Sequence, residues 1–182
     1  MPGTSDAPTQ GRVVLVWDVA VRLLHWALAG LVVFCTLQDD GGETHRTLGY
    51  VAAGLVVARL LWAALTSGYG SLAALRPSLA ETAAYIRSGA PRCIGHDPLG
   101  RWMIWLLWSL VLLLALTGWM SRLDRFWGDE FLQDLHAWIA NGLLAAVALH
   151  LVGVAVMSRR WKESLSVAML TGRKRRGHCS EE

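Results

Sequence analysis

The sequence has 182 residues, enough for one domain of ordinary size. Hydrophobic residues make up 54% of it and charged residues only 17%, whereas soluble domains carry about 25% charged residues. The apolar residues occur in long runs, and the ten tryptophans are of a residue type enriched at bilayer interfaces. This composition predicts an integral membrane protein, and the net charge of +3 is too small to indicate a nucleic-acid partner.

Residues 1–18 precede the first apolar run and are predicted to form a flexible arm. The segment from Met1 to Gly11 is polar and lacks both a basic region and a small-residue cleavage site, so no cleavable signal peptide is expected. Cys35, Cys93 and Cys179 stand far apart in the sequence. None belongs to a Cys-x-x-Cys-His motif, which excludes covalent attachment of a c-type haem.

Residues 19–170 contain four apolar stretches, each long enough to cross a hydrocarbon layer of about 30 Å as a helix of roughly 20 residues. The predicted spans run from Val19 to Leu37, from Thr47 to Leu65, from Trp102 to Met120 and from Ala137 to Ser158. The connection 66–100 carries a predicted surface helix from Ser78 to Arg87. The predicted fold class is all-α, a four-helix transmembrane bundle, followed by a basic tail over residues 171–182.

The basic residues predict the orientation of the bundle. Of the 17 Lys and Arg residues, 13 lie in or beside the arm, the second loop and the tail, on one side of the predicted bundle. By the positive-inside rule, both termini are expected on the cytoplasmic side of a bacterial inner membrane. The opposite face is acidic, with Asp39, Asp40, Glu43, Asp124, Asp129, Glu130 and Asp134. That face suits either a cationic partner or a solvated loop surface.

Four of the six histidines fall on the predicted spans or at their ends: His25, His45, His136 and His150. Coordinating side chains are costly inside a bilayer, so each is a candidate functional residue. His136 and His150 are 14 residues apart, which on a helix separates them by ~21 Å along the axis and only ~40° around it. Because successive spans alternate in direction, the depths predict two pairs, His25 with His150 towards the cytoplasm and His45 with His136 towards the outside.

Two imidazoles that face each other across a bundle can fill both axial positions of a haem iron. No position is then left for oxygen or a substrate, so such a site favours electron transfer. Zinc would need four ligands that converge on one point, whereas these histidines lie at two levels. A haem-free bundle in which the histidines relay protons or a metal ion is the alternative of the transport class.

Three further residues are candidates for roles beside these pairs. Arg59 lies 14 residues after His45, on the same helix face and at the depth of the inner pair, and is expected to neutralise a haem propionate; its alternative role is to snorkel to the interface. Arg22, three residues before His25, is a weaker candidate for the propionate role. His96 either lines a quinone pocket or belongs to a turn in which Asp97 caps the third span and Pro98 opens it.

Several motifs together resemble the bacterial cytochrome b561 family, which is related to the b-type cytochrome subunit of nickel-iron hydrogenases. They are RLLHW at 22–26, HRTLGY at 45–50, GHDPLG at 95–100, LH at 135–136, and His150 on the fourth span. The resemblance extends from about Trp17 to Leu170. The third motif usually reads Gly-His-Asn-Pro in the family, and Asp97 replaces the asparagine here.

The resemblance implies a four-helix bundle with two non-covalent b haems, whose ligands carry over to His25, His45, His136 and His150. It also implies electron exchange between the quinone pool and a periplasmic partner such as a soluble cytochrome c, a hydrogenase or superoxide. Compared with a dedicated hydrogenase subunit the chain is short, so a hydrogenase partner is not established.

The sequence is therefore compatible with three functions. The leading one is a di-haem electron-transfer protein that contacts membrane lipid and quinone, with a homodimer compatible with the sequence. The second, of the enzyme class, is a self-sufficient quinone reductase that oxidises a small donor such as superoxide at the outer haem. The third is the haem-free relay.

Overall fold

The computed structural model describes residues 13–38 and 41–175. The first 12 residues of the predicted arm, the acidic pair at 39–40 and the tail from residue 176 lie outside the described residues. The elements in chain order are β1 (Val13–Leu15), α1 (Val19–Leu37), α2 (Glu43–Leu65), α3 (Leu79–Arg87), α4 (Pro98–Met120), a 3₁₀ turn (Asp124–Phe126), α5 (Glu130–Arg160), α6 (Leu165–Thr171) and β2 (Arg173–Arg175).

Helix starts are fixed by short polar side chains that satisfy the first free backbone N–H groups. At the start of α1, Asp18 Oδ1 accepts from Val21 N at 2.8 Å. At the start of α5, Asp129 Oδ1 accepts from Leu132 N at 3.0 Å. Asp97 Oδ1 accepts from Gly100 N at 2.7 Å, and Pro98 is the first residue of α4. The predicted opening of the third span by Asp97 and Pro98 is confirmed.

Within the described residues, four helices are long and apolar enough to cross a membrane, namely α1, α2, α4 and α5. The predicted all-α membrane bundle is therefore confirmed, and α1 has the predicted bounds. The other three begin four to seven residues earlier than predicted, and α5 also ends later, at Arg160. The predictions ended where the apolar runs ended, whereas a helix continues through polar residues once it has left the hydrocarbon layer.

The helices pack in chain order, α1 on α2, α2 on α4 and α4 on α5. Their common core contains Val56, Trp108, Val111 and Leu143. Among the described residues, α5 does not pack closely against either α1 or α2. The bundle is therefore open along the faces of α5 that point towards α1 and α2.

The two ends of the described chain meet on one side of the bundle, which we call the terminal side. β1 and β2 form an antiparallel pair in which Val14 lies opposite Lys174. Val16, Trp17, Val21 and Ile94 form a second buried cluster beside this pair. Neither the strand pair nor α6 was predicted, and both lie at the margins of the predicted arm and tail.

Candidate functional site

His45 on α2 and His136 on α5 face each other on the side of the bundle away from the chain ends. Their ring centroids are 6.4 Å apart and the ring planes are inclined at 67°. α2 and α5 do not pack closely here, so the two imidazoles meet across the open part of the bundle. The structure thus brings together the two residues that sequence depth had paired.

The Nδ1 atom of each ring is held by its surroundings. His136 Nδ1 lies 2.7 Å from Thr117 Oγ1 on α4, and His45 Nδ1 lies 3.2 Å from the carbonyl oxygen of Cys35 on α1. A carbonyl oxygen can only accept, so the contact with Cys35 requires a hydrogen on His45 Nδ1. In both rings Nε2 is then the nitrogen left to bind an electrophile.

The two rings have the chemistry of a haem-binding pair. Metal-bound histidines characteristically hydrogen-bond an oxygen through their second ring nitrogen, and the Nδ1 atoms of His45 and His136 both lie beside oxygens. Their ring centroids are 6.4 Å apart, and two imidazoles are the donor set expected for a b-type haem.

A cavity of about 890 Å³ surrounds this pair, within the size range of cofactor pockets. Its lining includes Cys35, Gly49 and Gly118 besides the two histidines. A Cβ atom at Gly49 would meet nothing within 4 Å, whereas one at Gly118 would lie 3.4 Å from His136 Cε1. The cavity is thus open beside Gly49, and Gly118 lies alongside the ring of His136.

Two cations line the same cavity, Arg46 on α2 and Arg122 beyond α4. The Arg122 guanidinium carbon lies 5.3 Å from the ring centroid of Trp127, which limits its movement. Sequence reasoning missed both residues as site residues, although Arg46 directly follows His45. Their charges suit the carboxylates of a cofactor or a small anion.

The second histidine pair, His25 on α1 and His150 on α5, lies towards the terminal side. The two side chains are close enough to interact electrostatically. His25 Nδ1 is buried and has no hydrogen-bond partner in the described part of the chain. A buried nitrogen without a partner is costly, so this position suits a bound group.

Arg59 on α2 is buried, with 7% of its surface exposed. Its Nη2 donates to the carbonyl oxygen of Gly70 at 2.9 Å, while Nη1 is buried without a partner among the described residues. The guanidinium also lies 5.7 Å from the ring centroid of Trp108. The contact with Gly70, in the connection that follows α2, agrees with the snorkelling alternative, while Nη1 is left as a donor for an anion. Arg22 Nε is also buried without a partner there.

His96 lies in a cationic environment on the terminal side. Its ring centroid is 4.4 Å from that of Trp17. Burial, together with the positive charges of Lys174, Arg59 and Arg101, lowers the pKa of His96 to about 3. The imidazole is therefore neutral at physiological pH and can both donate and accept a hydrogen bond.

Lys174 of β2 belongs to the same environment. It is only 5% exposed, its Nζ donates to the carbonyl oxygen of Gly95 at 3.2 Å, and it lies over the rings of Trp17 and Trp161. Burial lowers the pKa of Lys174, while the nearby carboxylate of Glu163 raises it. The sequence analysis included Lys174 only as one residue of the basic tail.

Among the described residues, no three His, Cys, Asp or Glu side chains are grouped so that they could hold one metal ion. The histidines are instead distributed as two pairs on opposite halves of the bundle. Each pair combines α5 with a helix that α5 does not pack closely against. This arrangement provides two separate two-ligand sites.

Comparison with known proteins adds a family assignment. The family model described as prokaryotic cytochrome b561 matches residues 16–172, which is most of the chain. No individual curated protein matches it significantly. The match confirms the resemblance read from the histidine motifs.

Proposed function

The chain belongs to the prokaryotic cytochrome b561 family, and from this premise we propose that it is a di-haem b-type cytochrome that transfers electrons across the bacterial inner membrane. Family membership makes it a multi-pass membrane cytochrome that binds b-type haem and acts in electron transfer. The proposal adds two haems per chain, a periplasmic redox partner on one side and the quinone pool as the other reactant.

We assign the outer haem to His45 and His136, and the inner haem to His25 and His150. The observation that carries the proposal is the 6.4 Å separation of the His45 and His136 rings, with both Nδ1 atoms engaged by oxygens. Haem, when bound, would supply reversible one-electron reduction, and the two imidazoles of each pair would hold it. The histidines hold the group, and their neighbours fix the orientation of the imidazoles.

Arginines provide the positive charge that two propionates need in a bilayer. For the inner haem the candidates are Arg59, through its free Nη1, and Arg22. For the outer haem they are Arg46 and Arg122, which line the cavity around His45 and His136. A buried carboxylate paired with a guanidinium forms a charge-assisted hydrogen bond, which is stronger than a neutral one.

The distribution of charge supports the orientation. Basic residues are concentrated on the terminal side, which the positive-inside rule assigns to the cytoplasm. On the opposite side, Asp124, Asp129, Glu130 and Asp134 are close in sequence to Trp127, Gly128 and Gln133, which line the cavity of the outer pair. An acidic surface steers cationic proteins towards it, so a soluble c-type cytochrome is the partner we favour over a hydrogenase. Bilayer lipid covers the exposed apolar faces, and a homodimer is compatible with them.

The proposal predicts which histidines share a haem. Purified protein should contain two haems per chain by pyridine haemochrome assay. His45→Ala and His136→Ala should each lose the same haem, and His25→Ala and His150→Ala the other, because one missing axial ligand frees the group. Optical redox titration of each variant identifies the remaining haem. His178→Ala, in the basic tail that the sequence predicts, is the control and should keep both.

Two results would contradict the proposal. One is a single haem per fully loaded chain, and the other is loss of haems in the opposite pairing, such as His25 with His136. Colourless protein purified with full haem supply would revive the haem-free relay. That alternative is otherwise set aside, because the family binds b-type haem.

The cavity arginines favour a second candidate function. Arg46 and Arg122 place positive charge beside the outer pair, which suits a small anionic donor such as superoxide. The chain alone would then be a quinone reductase. Quinone reduction by purified protein under an enzymatic flux of superoxide, lost in Arg46→Gln and Arg122→Gln and kept in Arg125→Gln, would support this candidate. Dependence on an added partner protein would contradict it.

A further inference from the structure

Thr117 is a buried polar residue near the end of α4, with 4% of its surface exposed. Its Oγ1 lies 2.9 Å from the carbonyl oxygen of Leu113 and 3.1 Å from that of Leu114. A threonine hydroxyl has one hydrogen, and these carbonyls, which can only accept, take it. Such bonds to the preceding turn would suffice for an ordinary threonine inside a helix.

The same oxygen makes a third contact that the helix does not require. Thr117 Oγ1 is 2.7 Å from His136 Nδ1, at the short end of the range for N–H···O bonds. Because the hydroxyl hydrogen is already directed at the helix carbonyls, Oγ1 accepts and His136 Nδ1 donates. This contact fixes the tautomer of His136 with the lone pair on Nε2.

The next residue, Gly118, lies beside the same ring. A Cβ atom added there would be 3.4 Å from His136 Cε1, an ordinary van der Waals distance, so the backbone of α4 runs alongside the imidazole at two consecutive positions. Thr117 supplies the hydrogen-bond acceptor, and Gly118 presents no side chain to the ring. The hydrogen bond to Thr117 Oγ1 restricts the rotation of the ring and the direction of Nε2.

We propose that Thr117 is a positioning residue that orients His136 and keeps the midpoint potential of the outer haem low. This inference rests on the proposed function, because it concerns the ligand of the outer haem. An oxygen that accepts from the second ring nitrogen makes an imidazole a more basic ligand. A more basic axial ligand stabilises ferric iron over ferrous iron, which lowers the potential.

The effect should be confined to one haem. His45, the other ligand of the outer pair, has a longer contact of 3.2 Å from Nδ1 to a backbone oxygen. For His25, Nδ1 has no partner in the described part of the protein. Among the described residues, Thr117 is thus the side chain whose oxygen accepts a hydrogen bond from a histidine of the outer pair.

The test is Thr117→Val, which preserves the shape of the side chain but removes the acceptor. We expect two haems per chain, an upward shift of the outer midpoint potential in a redox titration, and an unchanged inner potential. The low-spin ferric EPR signal of the outer haem should also move, because the ring is freer to turn. Thr36→Val is the matched control, since Thr36 lines the same cavity and, among the described residues, its hydroxyl donates to Val33 O and contacts neither histidine of the outer pair.

Thr117→Ser is the rescue variant, because it keeps an oxygen at the same position, and its outer potential should stay near that of the wild type. Should Thr117→Val lose the outer haem, retention by Thr117→Ser alongside loss by Thr117→Ala supports the inference. An unchanged outer potential in Thr117→Val, or equal loss of haem in the Ser and Ala variants, overturns it. Neither result affects the proposed function, which depends on the haem content of the wild type.

Discussion

The buried guanidinium of Arg59 is a cation whose partners can be identified one by one. One of its nitrogens donates to Gly70 O, and another is buried with no partner among the described residues. A buried cation is costly unless a counter-ion is near. Asp18 supplies a nearby negative charge, and its two carboxylate oxygens also accept from Val21 N and Trp62 Nε1.

Replacing Arg59 by glutamine should lower the midpoint potential of the inner haem, because removal of a nearby positive charge favours the ferric form. A charge at about 8 Å in a medium of effective dielectric constant about 20 contributes about 2 kcal/mol. A shift of several tens of millivolts is therefore expected in a redox titration. Arg76→Gln, which changes an exposed arginine, should have no comparable effect. A shift confined to the outer haem would contradict the assignment of Arg59.

At the scale of elements, the four spans and their pairing of histidines were predictable because both depend on local patterns. Apolar length sets a span, and the 14-residue spacing of His136 and His150 sets depth and helix face. The starts of α2, α4 and α5 were placed four to seven residues too late, since hydropathy does not report where a helix begins outside the hydrocarbon layer. For α4, the capping signal of Asp97 and Pro98 marks the true start, which hydropathy alone placed at Trp102.

The contacts around the histidines were not predictable from one sequence. Thr117 sits in an otherwise apolar run, and its bond to His136 depends on how α4 packs against α5. Cys35 contributes through a backbone oxygen, which any residue type offers. Lys174 looked like one more basic residue of a tail. Each of these roles arises from a tertiary contact that leaves no local pattern.

Gly172 joins α6 to β2, and its replacement tests that connection. Its φ is +78°, and a Cβ atom would lie 2.5 Å from the backbone oxygen of Trp17. Gly172→Ala should therefore lower the melting temperature in detergent, through about 1–2 kcal/mol of left-handed strain plus the clash. It should also increase proteolysis at β1, because Gly172 O accepts from the backbone N–H groups of Val16 and Trp17.

A matched control separates the two causes. Gly128 has a similar φ of +76° but open space where its Cβ would lie. Gly128→Ala should show the strain alone, with a smaller loss of stability and no increase in cleavage at β1. Equal effects of the two substitutions would mean that the contact between Gly172 and Trp17 contributes nothing.

At the scale of the whole molecule, α5 leaves open faces towards α1 and α2. In our proposal the haems fill these faces and so contribute to the packing of the bundle. α5 contacts α4 closely but neither α1 nor α2 among the described residues. In the proposed holoprotein, each haem joins α5 to one of these two helices. Stability and cofactor content are therefore coupled.

Protein produced under haem limitation should melt at a lower temperature than the loaded form, because a group that binds only the folded state stabilises it. At a thousand times its dissociation constant such a group contributes about 4 kcal/mol. Thermal unfolding in detergent, together with proteolysis at the ends of α5, measures the difference. Added haemin should restore the melting temperature, and equal melting of the depleted and loaded forms would contradict the coupling.

The strand pair on the terminal side also constrains how the protein matures. Residues 13–15 leave the ribosome early, but their partners at 173–175 are made only after the fourth membrane helix. Lys174, whose ammonium group lies over Trp17 and Trp161, cannot reach its site before the fourth membrane helix has been made. The terminal side thus closes only after all four membrane helices exist, and for the inner haem that we propose this order would leave a period in which a porphyrin can reach His25 and His150 from that side.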